Sequence, residues 1–255
     1  MKDRRQSIYD LIEQHGEISI HELEALFPDV SSMTIRRDLD FLETDNKIVK
    51  IKGGAKSLSH LSRTLFHDVE GDYVQREIIN SAGKRRIAEK AIPFAETGRS
   101  IFIDAGSTMM QLARRLKTGR FSVITNAINV ALELSQNLSA SVNLVGGELN
   151  RRNLCVSGAG ALEHVRHINI DIAFIAASGY SIEDGFTNGS FDEYELKRFI
   201  IQKAKKTIIL MDTSKVGKSM PYTFCTPEDV DILIMDEVPE RSLLSAAKTA
   251  GMKIL

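Results

Sequence analysis

Arg36 and Arg37 stand side by side in Thr34-Ile35-Arg36-Arg37-Asp38-Leu39, near the start of a short amphipathic stretch. A guanidinium presents a rigid fork of donors, so two of them on the first turns of a helix can reach phosphates and guanine edges of a DNA duplex. A second kind of chemistry is spread along the rest of the chain. Asp104-Ala105-Gly106-Ser107-Thr108 sets a carboxylate, a glycine and two hydroxyls just ahead of a helical stretch. Glycine lets backbone approach a ligand closely, and the free N–H groups of a helix start favour an anion such as phosphate. A tight turn with an N-cap would use the same residues. Four more apolar runs end in comparable clusters: Thr125-Asn126, Gly146-Gly147-Glu148 followed by Arg151 and Arg152, Ser178-Gly179, and Asp212-Thr213-Ser214-Lys215. Asn126 can cap a helix or bond a ligand hydroxyl, Gly147 suits close backbone approach, and Arg152 or Lys215 can neutralise an anion. Five such clusters together point to a small anionic polyol.

The arginine pair needs a scaffold, and the first 56 residues supply one. Ile8, Leu11 and Ile12 recur at helical spacing before Gly16, and Leu23, Leu26 and Phe27 mark a second helix that Pro28-Asp29 breaks. Ser31 or Ser32 caps a third helix, with Ile35, Leu39 and Leu42 inward and both arginines outward. Ile48 to Gly54 reads as a short strand closing in a glycine turn, so three helices lead into a wing. Residues 1–56 hold nine Lys and Arg against eleven Asp and Glu, but 46–56 hold four lysines and no acid. The expected positive face is therefore local, with Ser32, Thr34, Arg36, Arg37, Lys50 and Lys52 as the candidate DNA contacts. The alternative fate of such a charge run is a solvated surface.

Residues 57–84 read as a linker, and 85–255 as a separate domain. There, apolar runs near 100–104, 121–125, 142–145, 170–177, 207–211 and 230–235 alternate with helical stretches. That order predicts an α/β domain with a mainly parallel open sheet, and such sheets bind ligands at the carboxyl ends of their strands. Met109-Met110 reads as core packing. Only Cys155 and Cys225 occur, far apart, which excludes a disulfide framework and a cysteine zinc site and makes a cytoplasmic protein the expectation. His164 and His167 share a helix face without an acid or cysteine to complete a metal site. No run approaches a membrane span, and no P-loop, Gly-x-Ser-x-Gly elbow or dinucleotide fingerprint is present. No cofactor is expected.

The chain resembles the DeoR family of bacterial transcription regulators over nearly its whole length. The resemblance rests on Thr34 to Leu39, Leu42-Glu43 and Gly53-Gly54-Ala55, then on Ile103 to Thr108, Thr125-Asn126, Gly146 to Glu148, Ser214-Lys215, and Glu193 with Lys197. It implies a winged helix-turn-helix joined to a sensor domain akin to ribose-5-phosphate isomerase, which binds phosphorylated sugars. Two departures stand out: the turn ahead of Thr34 is one residue longer than the family pattern, and Lys52 stands where the family often has histidine. The reading that follows is a repressor of a carbohydrate catabolic operon, a homodimer or homotetramer on double-stranded operator DNA, released by a phosphorylated sugar. Its effector would lie on Asp104, Gly106, Ser107, Thr108, Asn126, Gly147, Glu148, Arg152 and Lys215. The rival is a sugar-phosphate isomerase carrying an accessory N-terminal module, with Asp104, Glu148 and Lys215 as acid–base groups.

Overall fold

Two serines set where the first helices begin. Ser19 accepts from Glu22 N at 3.1 Å while the Glu22 carboxylate accepts from Ser19 N at 2.8 Å, a reciprocal capping box. Ser31, one of the two candidates, caps the third helix by accepting from Thr34 N at 3.4 Å. The computed structural model describes residues 2–45, 47–51, 53–57 and 73–255, and they divide into two compact units, 1–71 and 72–255. In the first, α1 (Lys2–His15) leads through β1 (Glu17–Ser19) to α2 (Ile20–Leu26) and α3 (Ser32–Thr44). A hairpin of β2 (Ile48–Ile51) and β3 (Gly54–Ser57) follows, and β1 joins it to give an antiparallel sheet in the order β1-β3-β2. Gly54 is fixed by this pairing, since a Cβ there would meet Ile18 O at 2.3 Å. Ile8, Ile12, Leu23, Ile35, Leu39, Leu42 and Ile48 form the core, as their spacing requires. Lys52 lies outside the described residues.

Asp38 places a charge in the apolar interior of this unit. It is 1% exposed, and its two oxygens accept from Arg4 Nε at 2.7 Å and Arg5 Nε at 2.8 Å. Burial opposes its charge, but the hydrogen bonds and charges of Arg4 and Arg5 prevail and hold its carboxyl below the ordinary carboxylate value. The motif's acid therefore fastens α1 to α3.

The second unit opens with α4 (Tyr73–Ile78) and α5 (Ser81–Ala91), then β4 (Ser100–Ile103), α6 (Ser107–Ala113), β5 (Ser122–Thr125), α7 (Ile128–Leu134) and β6 (Ser141–Leu144). A hairpin of β7 (Glu148–Asn150) and β8 (Cys155–Ser157) precedes α8 (Ala159–Arg166) and β9 (Ile172–Ala176). Next come β10 (Gly179–Ser181), β11 (Gly185–Asn188), α9 (Phe191–Lys203), β12 (Lys206–Leu210) and β13 (Tyr222–Cys225). The chain closes with β14 (Ile232–Ile234), α10 (Arg241–Ala250) and β15 (Lys253–Ile254). Seven strands form one parallel sheet in the order β15-β14-β12-β9-β4-β5-β6.

Side chains alternate across this sheet, so its runs of apolar residues fill two cores. Phe102, Ile124, Ala173, Ile175, Ile209 and Leu233 pack with Val165, Leu196, Ile200 and Leu243 on one face. Ile101, Ile103, Val123, Phe174, Ile208 and Ile234 pack with Ile87, Met109, Leu112 and Val130 on the other. The expected parallel sheet is thus present, but alternation gave no sign of the small antiparallel sheet β10-β11-β13 or of the β7–β8 hairpin. The expected linker is shorter at its far end. Tyr73 is buried in the second core and its N donates to Arg152 O at 2.8 Å, so residues 73–84 belong to the second unit. Ser57, at its near end, pairs with Ile48 in β3, and the rest of that linker, 58–72, lies outside the described residues.

Asp38→Ala should cost the first unit about 2 kcal/mol, the usual scale for hydrogen bonds to a charged group, read by chemical denaturation of the full chain. A depressed carboxyl stabilises the fold above its unfolded value of 3.8 and loses that contribution as pH falls through its folded value. Denaturation profiles of wild type and D38A should therefore converge in acid and separate at neutral pH.

Candidate functional site

Helix α3 presents its polar side as the sequence implied. Arg36 and Arg37 are exposed, and neither forms an ion pair or side-chain hydrogen bond with a described residue. Ser32 and Thr34 are half-buried at the helix start, and the Thr34 hydroxyl lies 3.0 Å from the Ser31 hydroxyl, so it shares in the cap. The described lysines of 46–56 differ from the expected open positive face. Lys47 lies 3.4 Å from Asp45, Lys56 lies 3.0 Å from Glu17, and Lys50 pairs with Asp40. Asp40 holds the Lys50 ammonium above its ordinary pKa, against the opposing charge of Arg36. Sequence counting could not see this, because Asp40 and Glu17 come from α3 and β1. Exposed pairs of this kind hold only weakly in water, so a phosphate can displace the carboxylate.

The second unit gathers its polar residues where the sheet reverses direction of growth. From β4 the chain builds outward to β5 and β6, whereas β9 lies on the other side of β4. Because every strand of this sheet is parallel, Asp104, Asn126, Ala177, Asp212 and Asp236 all stand just past carboxyl ends on one edge. Ligand crevices of open α/β sheets form at such a switch point.

Asp104 sits there, 1% exposed. Its Oδ2 accepts from Ala176 N at 3.0 Å and from Lys197 Nζ, and Lys197 also donates to Ala176 O at 2.8 Å. The carboxylate is thus engaged across the β4–β9 seam, anchoring a buried lysine rather than standing open to a ligand hydroxyl. Gly106, at φ +134, turns the chain into α6. Ser107 and Thr108 are buried, and no hydrogen bond joins either hydroxyl to a described residue. Asn126 is 2% exposed, and its Oδ1 has no partner among the described residues although its backbone O accepts from Val156 N at 2.7 Å. Buried polar groups are nearly always paired, so an orphaned acceptor at the end of β5, the strand paired with the one that leads to two buried hydroxyls, is a fitting place for ligand donors.

The remaining expected residues divide. Lys215 lies half-buried in the turn after β12, close enough to Lys84 for their charges to oppose one another. Gly147 packs against β8 and α8, where a Cβ would meet Ser157 O at 2.5 Å, so its smallness serves packing. Glu148 is exposed on β7, and no contact brings it to the Asp104 cluster. Arg152 is exposed too, and its backbone is held by Asn150 Oδ1 and Tyr73 N. His164 bridges Gly146 N at 3.4 Å and Asn143 Oδ1 at 3.0 Å, which steadies the loop before β7.

Several residues absent from the expected site belong to this neighbourhood. Glu193, one turn before Lys197 on α9, accepts through Oε1 from Asn153 Nδ2 at 2.6 Å, Asn150 Nδ2 at 3.3 Å and Cys155 Sγ at 3.4 Å. Arg76 of α4 donates in turn to Asn153 Oδ1 at 2.8 Å. The i, i+4 spacing of Glu193 and Lys197 was the legible signal for one shared helix face. Lys84 is 4% exposed and donates to Ile79 O at 2.5 Å and to Arg76 O, carbonyls at the end of α4. Burial lowers its pKa to about 8, against the raising charge of Asp212. A lone lysine in a helical stretch carries no mark of such a place.

Residues 79–237 match the family model described as the DeoR C terminal sensor domain, and residues 4–60 match the DeoR-like helix-turn-helix domain. The chain belongs to the DeoR family. It is therefore a DNA-binding transcription regulator and not an enzyme. Among curated relatives of this DeoR regulator, the HTH-type transcriptional regulator GolR of Listeria innocua is 32% identical over 99% of this chain and 97% of its own. The HTH-type transcriptional repressor GlcR of Bacillus subtilis is 30% identical over 100% and 95%. The glycerol-3-phosphate regulon repressor of Escherichia coli is 30% identical over 94% and 93%. Ribose 5-phosphate isomerase A from Neisseria gonorrhoeae matches at a TM-score of 0.39 and 16% identity over 53% of each chain, a likeness too slight to carry an argument. No helix among the described residues is long and apolar enough to cross a membrane.

The buried lysine gives a signed pH prediction. Lys84 has a folded pKa of about 8 and an ordinary value of 10.5, so the unfolded chain holds more protons between them and stability contributed by this group rises with pH across that window. The difference in unfolding free energy between wild type and Lys84→Met should change across the window and be flat below it, measured by denaturation at stepped pH.

Proposed function

We propose that this regulator represses a carbohydrate catabolic operon and that a phosphorylated sugar releases it from DNA. The observation that carries the effector half is the buried polar cluster at the β4–β9 switch point: the unpartnered Asn126 Oδ1, the Ser107 and Thr108 hydroxyls, and Gly106 beside them. In this reading the phosphate lies on Gly106, Ser107 and Thr108 with Lys215 as counter-charge, and Asn126 bonds a sugar hydroxyl. Asp104 acts through Lys197, which it holds at the seam. Glu148 and Arg152 stand exposed on the β7–β8 hairpin, and Gly147 serves by its packing. The names of relatives, GlcR as a repressor and the Escherichia coli protein as a glycerol-3-phosphate regulon repressor, support the same class of role.

The DNA half rests on α3. Arg36 and Arg37 enter the major groove to meet phosphates or guanine edges, with Ser32 and Thr34 at the helix start and Lys50 and Lys52 on neighbouring backbone. A homodimer or homotetramer would read repeated half-sites of operator DNA. Ligand shifts this equilibrium only by binding one state more tightly. An almost complete swing requires about 5.5 kcal/mol of differential affinity.

Calorimetry against matched phosphorylated and unphosphorylated sugars tests the effector. Preference for a phosphorylated member, lost in Ser107→Ala with Thr108→Ala, is the expected result; preference for an unphosphorylated sugar would refute the phosphate cradle. For the DNA half, Arg36→Ala with Arg37→Ala should abolish footprinting on the regulator's own upstream DNA while the second unit keeps its unfolding transition. A retained footprint would remove both arginines from the interface.

A further inference from the structure

Positive charge on the first unit is differently distributed from what the sequence implies. Each described lysine of 46–56 is matched by a carboxylate, Lys47 by Asp45, Lys50 by Asp40 and Lys56 by Glu17. The surplus lies on arginines. Arg36 and Arg37 have no matching carboxylate among the described residues, and Arg4 and Arg5 share the single charge of Asp38, which leaves that trio one positive charge in excess. One guanidinium would suffice to neutralise a buried carboxylate. Among the described residues each of these two bonds Asp38 through Nε alone, so both Nη groups of each remain for another acceptor. Their side chains are 25% and 29% exposed.

The geometry places them beside the recognition surface. Residues four apart share a helix face, so Arg36 and Asp40 define one flank of α3, and Arg37 and Phe41 the other. The first flank meets the wing through the Asp40–Lys50 pair. The second meets α1, where the Arg5 guanidinium stacks 4.0 Å from the Phe41 ring centroid. A helix in the major groove has a phosphate strand on either side, about 12 Å apart. The wing serves one strand, and α1 lies along the other flank.

We infer that Arg4 and Arg5 are DNA phosphate contacts, with Asp38 and Phe41 as the residues that position them. This rests on the proposed α3 interface and extends it to the helix opposite the wing. Nε is spent on Asp38, which fixes the guanidinium plane, so little side-chain entropy is lost when phosphate binds an Nη donor.

Salt dependence separates this role from a structural one, because each phosphate neutralised adds about 0.9 to the slope of log affinity against log salt. Binding of the full chain to a mixed-sequence DNA duplex is measured by fluorescence anisotropy across a salt series. The series covers wild type, Arg4→Gln, Arg5→Gln, Arg5→Lys, and Arg36→Ala with Arg37→Ala. Each single glutamine variant leaves Asp38 one arginine and should lower the slope by about 1, while Arg5→Lys restores it. An unchanged slope in both glutamine variants overturns the inference while leaving the α3 interface intact. Loss of the first unit's unfolding transition in both would also overturn it, by making the arginines structural. A wild-type chain that binds no duplex would bring down the DNA reading as a whole, and this inference with it.

Discussion

Burial of parallel strands on both faces is the constraint on which the second unit depends. A strand such as Ile101-Phe102-Ile103 sends alternate side chains to opposite cores, so neither face can be left to water. Helices must then cover both sides, and each crossover returns the chain to the same starting edge. That geometry brings Asp104, Asn126, Ala177, Asp212 and Asp236 to one rim although they span much of the sequence. The polar cluster is a consequence of apolar packing.

Once polar groups have been carried into a buried rim, they must be paired, and the pairs define the local architecture. Asp104 holds Lys197 and Ala176 N, which joins α9 to the β4–β9 seam. Glu193, on the same helix, gathers Asn150, Asn153 and Cys155 from the β7–β8 hairpin, and Arg76 reaches Asn153 from α4. Burial and the Glu193 carboxylate together push the Cys155 thiol far up, so it stays a neutral donor. In the first unit Asp38 does comparable work, fastening α1 to α3 through two arginines. Removing one member of such a set leaves the others desolvated and unmatched, which is why these contacts order structure even where their net stabilisation is modest.

Residues with local signals were legible. Ile35, Leu39 and Leu42 at helical spacing, the serine cap, the glycine turn of the wing and the apolar runs of the sheet all stand where periodicity and turn chemistry put them. The Asp104 to Thr108 loop was legible as a strand-to-helix junction with a special glycine. Short antiparallel strands such as β10 and β11 carry too few residues for alternation to show. Gly147 was marked as unusual, but whether it meets a ligand or its own protein depended on Ser157 and Ala161, distant in sequence until the hairpin forms. Glu148 was drawn to the site by its neighbourhood in sequence and stands exposed on the hairpin instead.

By itself the sequence determined the helices of the first unit, the apolar strands of the large sheet, that Arg36 and Arg37 face outward, and that a mainly parallel sheet displays polar strand ends. Those properties depend on spacing within a few residues, because helix and strand repeats are local. Tertiary structure alone decided how charges pair. Lys50 and Lys56 look like part of a free positive stripe until α3 and β1 bring Asp40 and Glu17 against them, and Asp38 carries no mark of its burial until Arg4 and Arg5 close over it. The physical reason is that Coulomb energy and desolvation depend on distance in space, and packing sets that distance without regard to separation along the chain.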